Sequence, residues 1–328
     1  MNYVKRLSIT VLTIASFFTS GCGTMKINLI ADYSEPLREF TVEGKGGNRI
    51  LVVPITGLIS AQNSKSMMES QPSVVQEVVS HLRKAQEDTR IKAVILKVNS
   101  PGGTVTASDL LYHEITKFQE ETGIPVIACM MDMATSGGYY VSLPCDYIIA
   151  HPTTVTGSVG VVFMRPKFAG LMDKIGVGME VSKSGNNKDM GSPFRATTDE
   201  EVKLFQGLID HMAGLFKKKL KKHRDLSEES IDDVMSAKVY VAQDALDNGL
   251  IDKIGFLDDA VTEAAVRAEI LSDYRVVMYR RLLYSDDNIY NDVTALSGKK
   301  PATLDLGIFS SVPKIKTGFY YIWPATID

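Results

Sequence analysis

Three apolar runs rich in β-branched residues constrain the fold of this chain more than any other feature. Residues 49–55, 93–98 and 125–130 lack the polar alternation of a half-exposed strand. Continuous runs of this length, closed by Gly, Pro and Ser, suit strands covered on both faces. Helical spacing separates the first two, with Val74, Val75, Val78, Val79 and Leu82 recurring within residues 73–84. A second helix is expected over residues 107–120, and further strands over 147–150 and 159–163. Such alternation builds βαβ units, so the chain is expected to be α/β with a mostly parallel sheet.

The carboxyl ends of parallel strands carry the functional turns. Asn99-Ser100-Pro101-Gly102-Gly103 follows the second run, and Met131-Asp132-Met133-Ala134-Thr135-Ser136-Gly137-Gly138-Tyr139-Tyr140 follows the third. In the second turn Ser136 stands between a strand and a helix, a good position for a nucleophile. A serine there also serves commonly as a helix cap. The glycines leave backbone N–H groups open to a substrate. Gly103 and Gly137 can therefore supply the two donors that the oxyanion of an acyl transfer requires. Gly102-Gly103 alone reads equally well as a tight strand–helix turn.

A serine hydroxyl needs a base, and the five histidines are scattered without a convincing context. A lysine can serve if it is neutral. With a reference pKa of about 10.4, only ~0.1% is neutral near pH ~7.4, so burial must lower the value. Lys188, in the Gly/Asn/Ser loop of residues 183–194, is the candidate. Asp189 beside it would oppose the shift if it pointed inward, and a loop lysine is ordinarily solvated. Ser158, in Thr156-Gly157-Ser158-Val159-Gly160, can hydrogen-bond that lysine; by itself it is a turn serine. No His or Cys has metal-ligand spacing, and no cofactor is expected.

The N-terminal stretch reads as an address. Lys5 and Arg6 precede an apolar run over residues 7–18, then Thr19-Ser20-Gly21-Cys22. That run is shorter than the ~20 residues of a membrane span and fits an export signal. The small residues before Cys22 resemble a bacterial lipoprotein box, which implies lipidation of Cys22 and a membrane held through that lipid. The expected organisation is an export signal over 1–21, a linker over 22–48, a catalytic domain over 49–271 and a tail over 272–328.

Beyond the core, a strand is expected over 176–182, and helices over 198–222, 228–235, 241–249 and 257–271. Within the tail, residues 275–279 and 318–323 are β-rich. Cys129 and Cys145 read as apolar packing, with a disulfide between them left open. The net charge of −3 gives no global attraction to nucleic acid. The basic run at 217–224 reads as a solvated helix end, where cations suit the helix dipole.

Taken together, Asn99-Ser100-Pro101-Gly102-Gly103, Ser136-Gly137-Gly138-Tyr139-Tyr140, Thr156-Gly157-Ser158-Val159-Gly160 and Gly185-Asn186-Asn187-Lys188-Asp189 resemble the signal peptide peptidase A family in order and spacing. Ala245-Leu246-Asp247-Asn248-Gly249-Leu250-Ile251-Asp252-Lys253-Ile254-Gly255 is similar to that family's closing motif. The resemblance covers residues 50–265. It implies a serine–lysine peptidase with a Clp-protease/crotonase-like fold, a spiral of βαβ units with a helical C-terminal part. It implies Ser136 as nucleophile, Lys188 as general base, Gly103 and Gly137 as the oxyanion hole, and Ser158 orienting the lysine. It further implies a homo-oligomeric ring, an active site near a subunit interface, and remnant signal peptides or other unfolded peptides as substrates. Small or hydrophobic side chains are expected beside the scissile bond. Asn186 and Lys238 depart from the basic residue and the arginine common in the family, and a lipid replaces the transmembrane helix of many relatives. Two other readings are a crotonase-like acyl-CoA enzyme and a catalytically silent peptide-binding scaffold.

Overall fold

The side chains of a strand alternate between the faces of its sheet, and the central strands of this protein are apolar on both. In β2 (Asn48–Thr56), Leu51, Val53 and Ile55 enter one hydrophobic core while Ile50 and Val52 enter the other. In β5 (Ile91–Ser100), Val94, Leu96 and Val98 join the first core, Ala93 and Ile95 the second. A sheet so covered needs layers on either side, and the chain supplies them. The computed structural model describes residues 35–65, 70–281, 288, 289, 291 and 317–326. The export signal and Cys22 lie outside the described residues.

In chain order, β1 (Arg38–Gly44) precedes β2, and a short hairpin, β3 (Ser64–Lys65) with β4 (Ser70–Gln71), leads to α1 (Val74–Gln86). After β5 come β6 (Gly102–Thr104), α2 (Val105–Thr122), β7 (Val126–Thr135), α3 (Gly137–Ser142), β8 (Tyr147–Ala150), β9 (Val155–Gly157) and β10 (Val162–Met164). The remainder is α4 (Ala169–Ile175), α5 (Asp199–His223), α6 (Glu228–Val234), β11 (Val239–Val241), α7 (Ala242–Asp247), β12 (Lys253–Ile254), α8 (Leu257–Arg267), β13 (Tyr274–Arg280) and β14 (Gly318–Ile322).

Among the described residues the main sheet has nine strands, with β1-β13-β2-β5-β7-β8-β12 as its path and β9 and β11 branching from β7. The ladders β13–β2, β2–β5, β5–β7, β7–β8, β7–β9 and β8–β12 are parallel, whereas β1–β13 and β9–β11 are antiparallel. This is the mixed α/β fold with a mostly parallel sheet that the alternating runs imply. Side chains of α1, α2, α3 and α5 fill one core, and Leu257, Ala260, Val261 and Ala264 of α8 fill the other. The helices begin where the sequence offers caps. Ser73 accepts from the Gln76 amide at 3.1 Å, and Thr198 forms a reciprocal capping box with Glu201.

Several elements differ from the sequence reading. Residues 38–44, inside the stretch read as a linker, form β1, and residues 274–280 of the stretch read as a tail insert between β1 and β2. Residues 176–182 form no strand despite their alternation. Val177, Met179 and Val181 are exposed there, and among the described residues no neighbouring strand completes a ladder. The expected strand at 159–163 is replaced by β9 and β10, which flank a bend at Ser158. Cys129 and Cys145 are free thiols, and burial pushes the Cys129 thiol up to about 12.

Candidate active site

The carboxyl ends of β5, β7 and β9 come together, and the candidate residues stand on them. At the end of β5, the Ser100 hydroxyl donates to the Gly57 carbonyl at 2.6 Å and accepts from the Gly102 amide at 3.1 Å. That turn launches β6, whose Thr104 caps α2 by accepting from the Ala107 amide at 3.3 Å. One edge of β6 is taken by Ile59: its amide donates to the Gly102 carbonyl at 2.8 Å, and its carbonyl accepts from Thr104 at 3.0 Å. Alternation along a strand then turns the Gly103 N–H to the opposite edge. The close approach of Ile59 excludes any side chain at Gly103, where a Cβ would lie 1.9 Å from the Ile59 carbonyl oxygen.

Ser136 follows β7 directly and is fully buried. Its φ of 52° lies in the left-handed region, uncommon for a residue with a side chain. The conformation is held on both sides. Its amide donates to the Gly157 carbonyl at 2.7 Å, and its carbonyl accepts from the Tyr140 amide at 2.8 Å. Its hydroxyl reaches the Gly160 carbonyl at 3.5 Å, a long and weak contact. Gly137 comes next, and a Cβ there would fall 3.0 Å from the Gly103 nitrogen and 2.5 Å from Ser108 Oγ. Two glycine amides therefore stand close together beside the serine, as an oxyanion would require.

The parallel register of β7 and β9 pairs Thr135 with Gly157, so Ser136 and Ser158 are the next residues on neighbouring strands. Ser158 also has φ 52°, is almost fully buried, and donates its amide to the Lys238 carbonyl at 2.8 Å. Lys238 is anchored in turn by an ion pair with Asp233.

Lys188 is placed differently. It is exposed, in a turn closed by its own amide donating to the Gly185 carbonyl at 3.1 Å, and the single chain gives no hydrogen bond from it to Ser136 or Ser158. Its neighbour Asp189 is engaged elsewhere. The Asp189 carboxylate accepts from Arg195 Nε at 2.8 Å and from Lys183 Nζ at 2.8 Å, and these hydrogen bonds hold it well below the usual carboxylate range. Arg195 also grips Glu201, whose pKa falls to about 2 through that bond. The acid beside Lys188 is thus already neutralised by other cations.

Three features of the site depend on long-range contacts that local sequence pattern does not show. Tyr140, behind the serine, donates to Asp109 Oδ1 at 2.7 Å, and burial with this bond raises the phenol far above its ordinary value. Ser108 stands against Gly137. The third is β14, which forms a small antiparallel sheet with β6 and β10, order β10-β14-β6, directly beside the glycine amides. Only a long-range pairing across more than two hundred residues reveals it.

A family model, Peptidase family S49, matches residues 118–271. The chain is 30% identical over 298 residues to the Enterococcus faecium protein described as a signal peptide peptidase SppA, covering 88% of this chain and 86% of that one. It is 32% identical over 323 residues to protease 4 of Haemophilus influenzae, covering 96% of this chain and 51% of that protein. It therefore spans about half the length of that relative. With the chloroplastic serine protease SPPA of Arabidopsis thaliana it shares 33% identity over 244 residues, 74% of this chain and 36% of the relative. Similarity to the Enterococcus protein over most of both chains joins the α/β architecture and the buried serine at the strand ends: this chain belongs to peptidase family S49 and has an SppA-type serine peptidase domain.

Proposed function

We propose that this chain is an envelope-anchored serine endopeptidase that hydrolyses remnant signal peptides or other unfolded peptides through a Ser136–Lys188 dyad. The observation that carries the reading is the buried Ser136, in a left-handed turn beside the amides of Gly103 and Gly137. The Ser136 hydroxyl attacks a peptide carbonyl while Lys188 takes its proton. The developing oxyanion is stabilised by the two glycine amides. The C–N bond breaks, the leaving amine takes the proton back from Lys188, and water then hydrolyses the acyl-enzyme with the lysine again as base. Ser158 orients the lysine. No resident cofactor enters the scheme.

Lys188 serves the Ser136 of a neighbouring copy in a homo-oligomeric ring. Supporting this, the segment that carries Lys188 also exposes Leu171, Ile175, Val177, Met179 and Val181, an apolar surface that a second copy would cover. Burial under that neighbour would also provide the desolvation a neutral lysine needs. The lipid on Cys22 holds the domain outside the cytoplasmic membrane. Among the described residues no helix is long and apolar enough to cross a membrane.

Labelling the oligomer with a fluorophosphonate probe and reading intact mass tests the dyad. Wild type is expected to gain one adduct per chain, and Ser136→Ala and Lys188→Ala none. A folded oligomer that stays unlabelled would instead favour a silent peptide-binding scaffold.

A further inference from the structure

Glu201, the third residue of α5, is 1% exposed although it carries a charge. A buried carboxylate is costly unless its oxygens are bonded, and here four N–H groups reach them. Oε1 accepts from the Gly191 amide at 3.2 Å and from Arg195 Nη2 at 2.5 Å. Oε2 accepts from Arg195 Nη1 at 3.0 Å and from the Thr198 amide at 3.0 Å. A capping box needs only the Thr198 bond. The other three donors belong to Gly191 and Arg195, in the loop that follows Lys188.

That loop has no apolar anchor. Among residues 165–200 none is buried and none packs against either core. Polar bonds order it instead. The Arg195 fork that meets Glu201 also holds Asp189, with Nε and Nη2 donating to its carboxylate at 2.8 and 2.9 Å and Nη2 to its carbonyl at 3.1 Å. On the other side of the lysine, Asn187 Nδ2 donates to Glu200 Oε1 at 3.3 Å. Lys167 Nζ donates to the carbonyls of Ser192 and Arg195 at 2.7 and 3.2 Å. Both neighbours of Lys188 are therefore tied down, whereas its own ammonium has no hydrogen bond or ion pair among the described residues.

We propose that Glu201 is a positioning residue for the general base: through Arg195 and the Gly191 amide it fixes where Lys188 is presented. This rests on the Ser136–Lys188 reading and adds to it a buried post on the chain that gives the lysine. The carboxylate touches neither substrate nor reacting atoms. Without it, Arg195 and Gly191 lose their attachment to the interior, and the loop spreads over many positions, few of which bring the amine to a serine. A misplacement of about 1 Å can cost about 10²-fold in rate.

The test compares full-length wild type with Glu201→Gln, which keeps the shape but gives up the charge and one acceptor, and with Thr198→Ala, which removes the hydroxyl cap of α5 and leaves the loop bonds in place. Glu201→Gln is expected to lower kcat, and the rate of fluorophosphonate labelling with it, by about 10- to 10²-fold, with KM changed less than about twofold. Thr198→Ala is expected to unfold at a lower temperature yet keep kcat. The chain that carries the change gives a second readout. In reassembled mixtures of Ser136→Ala with Lys188→Ala, only the Ser136→Ala chain supplies a lysine. Glu201→Gln added to that chain should lower the regained turnover to the same extent, and added to the Lys188→Ala chain should leave it unchanged. Should Glu201→Gln fail to fold, Arg195→Lys, which keeps the charge but loses the fork, decides with the same expectations. A folded Glu201→Gln oligomer with wild-type kcat, or an equal loss on whichever chain carries the change, would make Glu201 a helix cap alone. A parent mixture without turnover would sink the sharing of the dyad, and kcat of Glu201→Gln would then judge the positioning. An unlabelled wild type would overturn the peptidase reading itself, and this inference with it.

Discussion

Ser136 and Ser158 stand side by side at the ends of neighbouring parallel strands, each at φ 52°. The Ser136 amide bonds to the residue preceding Ser158, so the two turns support each other. With Ser136 as nucleophile, Ser136→Ala is expected to lower kcat by at least about 10⁴-fold. Its unfolding temperature should match wild type within a few degrees, because the holding bonds are backbone bonds. Peptide turnover with calorimetry on the same sample checks this.

Gly103 and Gly137 fail differently when given a side chain. A Cβ on Gly103 meets the backbone carbonyl of Ile59, which cannot yield without breaking the β6 contact. Gly103→Ala is expected to cost at least about 2 kcal/mol of stability. At Gly137 the nearest atom is the Ser108 hydroxyl, a rotatable neighbour. Gly137→Ala should therefore fold but lose about 10²–10³-fold in kcat as the donor shifts. Urea unfolding and steady-state kinetics on both variants separate the two outcomes.

A dyad shared between subunits predicts complementation. Ser136→Ala and Lys188→Ala chains, each inactive alone, should regain turnover when unfolded and reassembled together. A dyad within one chain would leave the mixture as inactive as its parts. Arg195 sharpens the point. Removing it in Arg195→Ala frees part of the Asp189 carboxylate beside Lys188, and a free carboxylate favours the protonated lysine. The acid limb of the pH–rate profile should move to higher pH.

His81 makes the fold sensitive to acid. It is buried edge-on to Tyr279 at 6.0 Å, and among the described residues neither ring nitrogen has a hydrogen-bond partner. Burial, assisted by the charge of Arg281, lowers its pKa to about 3. Between about 6.5 and that value the unfolded chain binds a proton that the folded one refuses. Stability therefore falls as pH drops through that window, by up to about 1.4 kcal/mol per pH unit from this group. His223, lowered to about 4 by burial and nearby cations, acts in the same direction. Denaturant midpoints of wild type and His81→Leu between pH ~7 and ~4 should show a shallower decline in the variant.

The parts of this protein legible in sequence are those set by local pattern. The runs that became β2, β5 and β7 are apolar on both faces, and that property is visible residue by residue. Ser136 and Gly103 are legible as candidates because glycine turns at strand ends carry their own chemistry. Strand β14 was legible only as a β-rich piece, because its place beside Gly103 depends on pairing with β6, far away in the chain. The stretch 176–182 shows the opposite failure. Its alternation is real, but a strand needs a neighbour, and within one chain it has none among the described residues. Lys188 was identifiable as a candidate, yet its exposure in a single chain could not be read from its neighbours in sequence.

The insertion of β13 between β1 and β2 bears on how the molecule is made. One edge of β2 stays open until residues 274–280 are synthesised, because β13 supplies its parallel partner. Until then β1 also lacks its antiparallel ladder. An emerging chain therefore carries an incomplete sheet through most of its translation and completes it only near the end. Such late, long-range closure is slow and leaves apolar strand edges bare. Under the export proposed above, that delay keeps the chain threadable and places the finishing step of folding beyond the membrane.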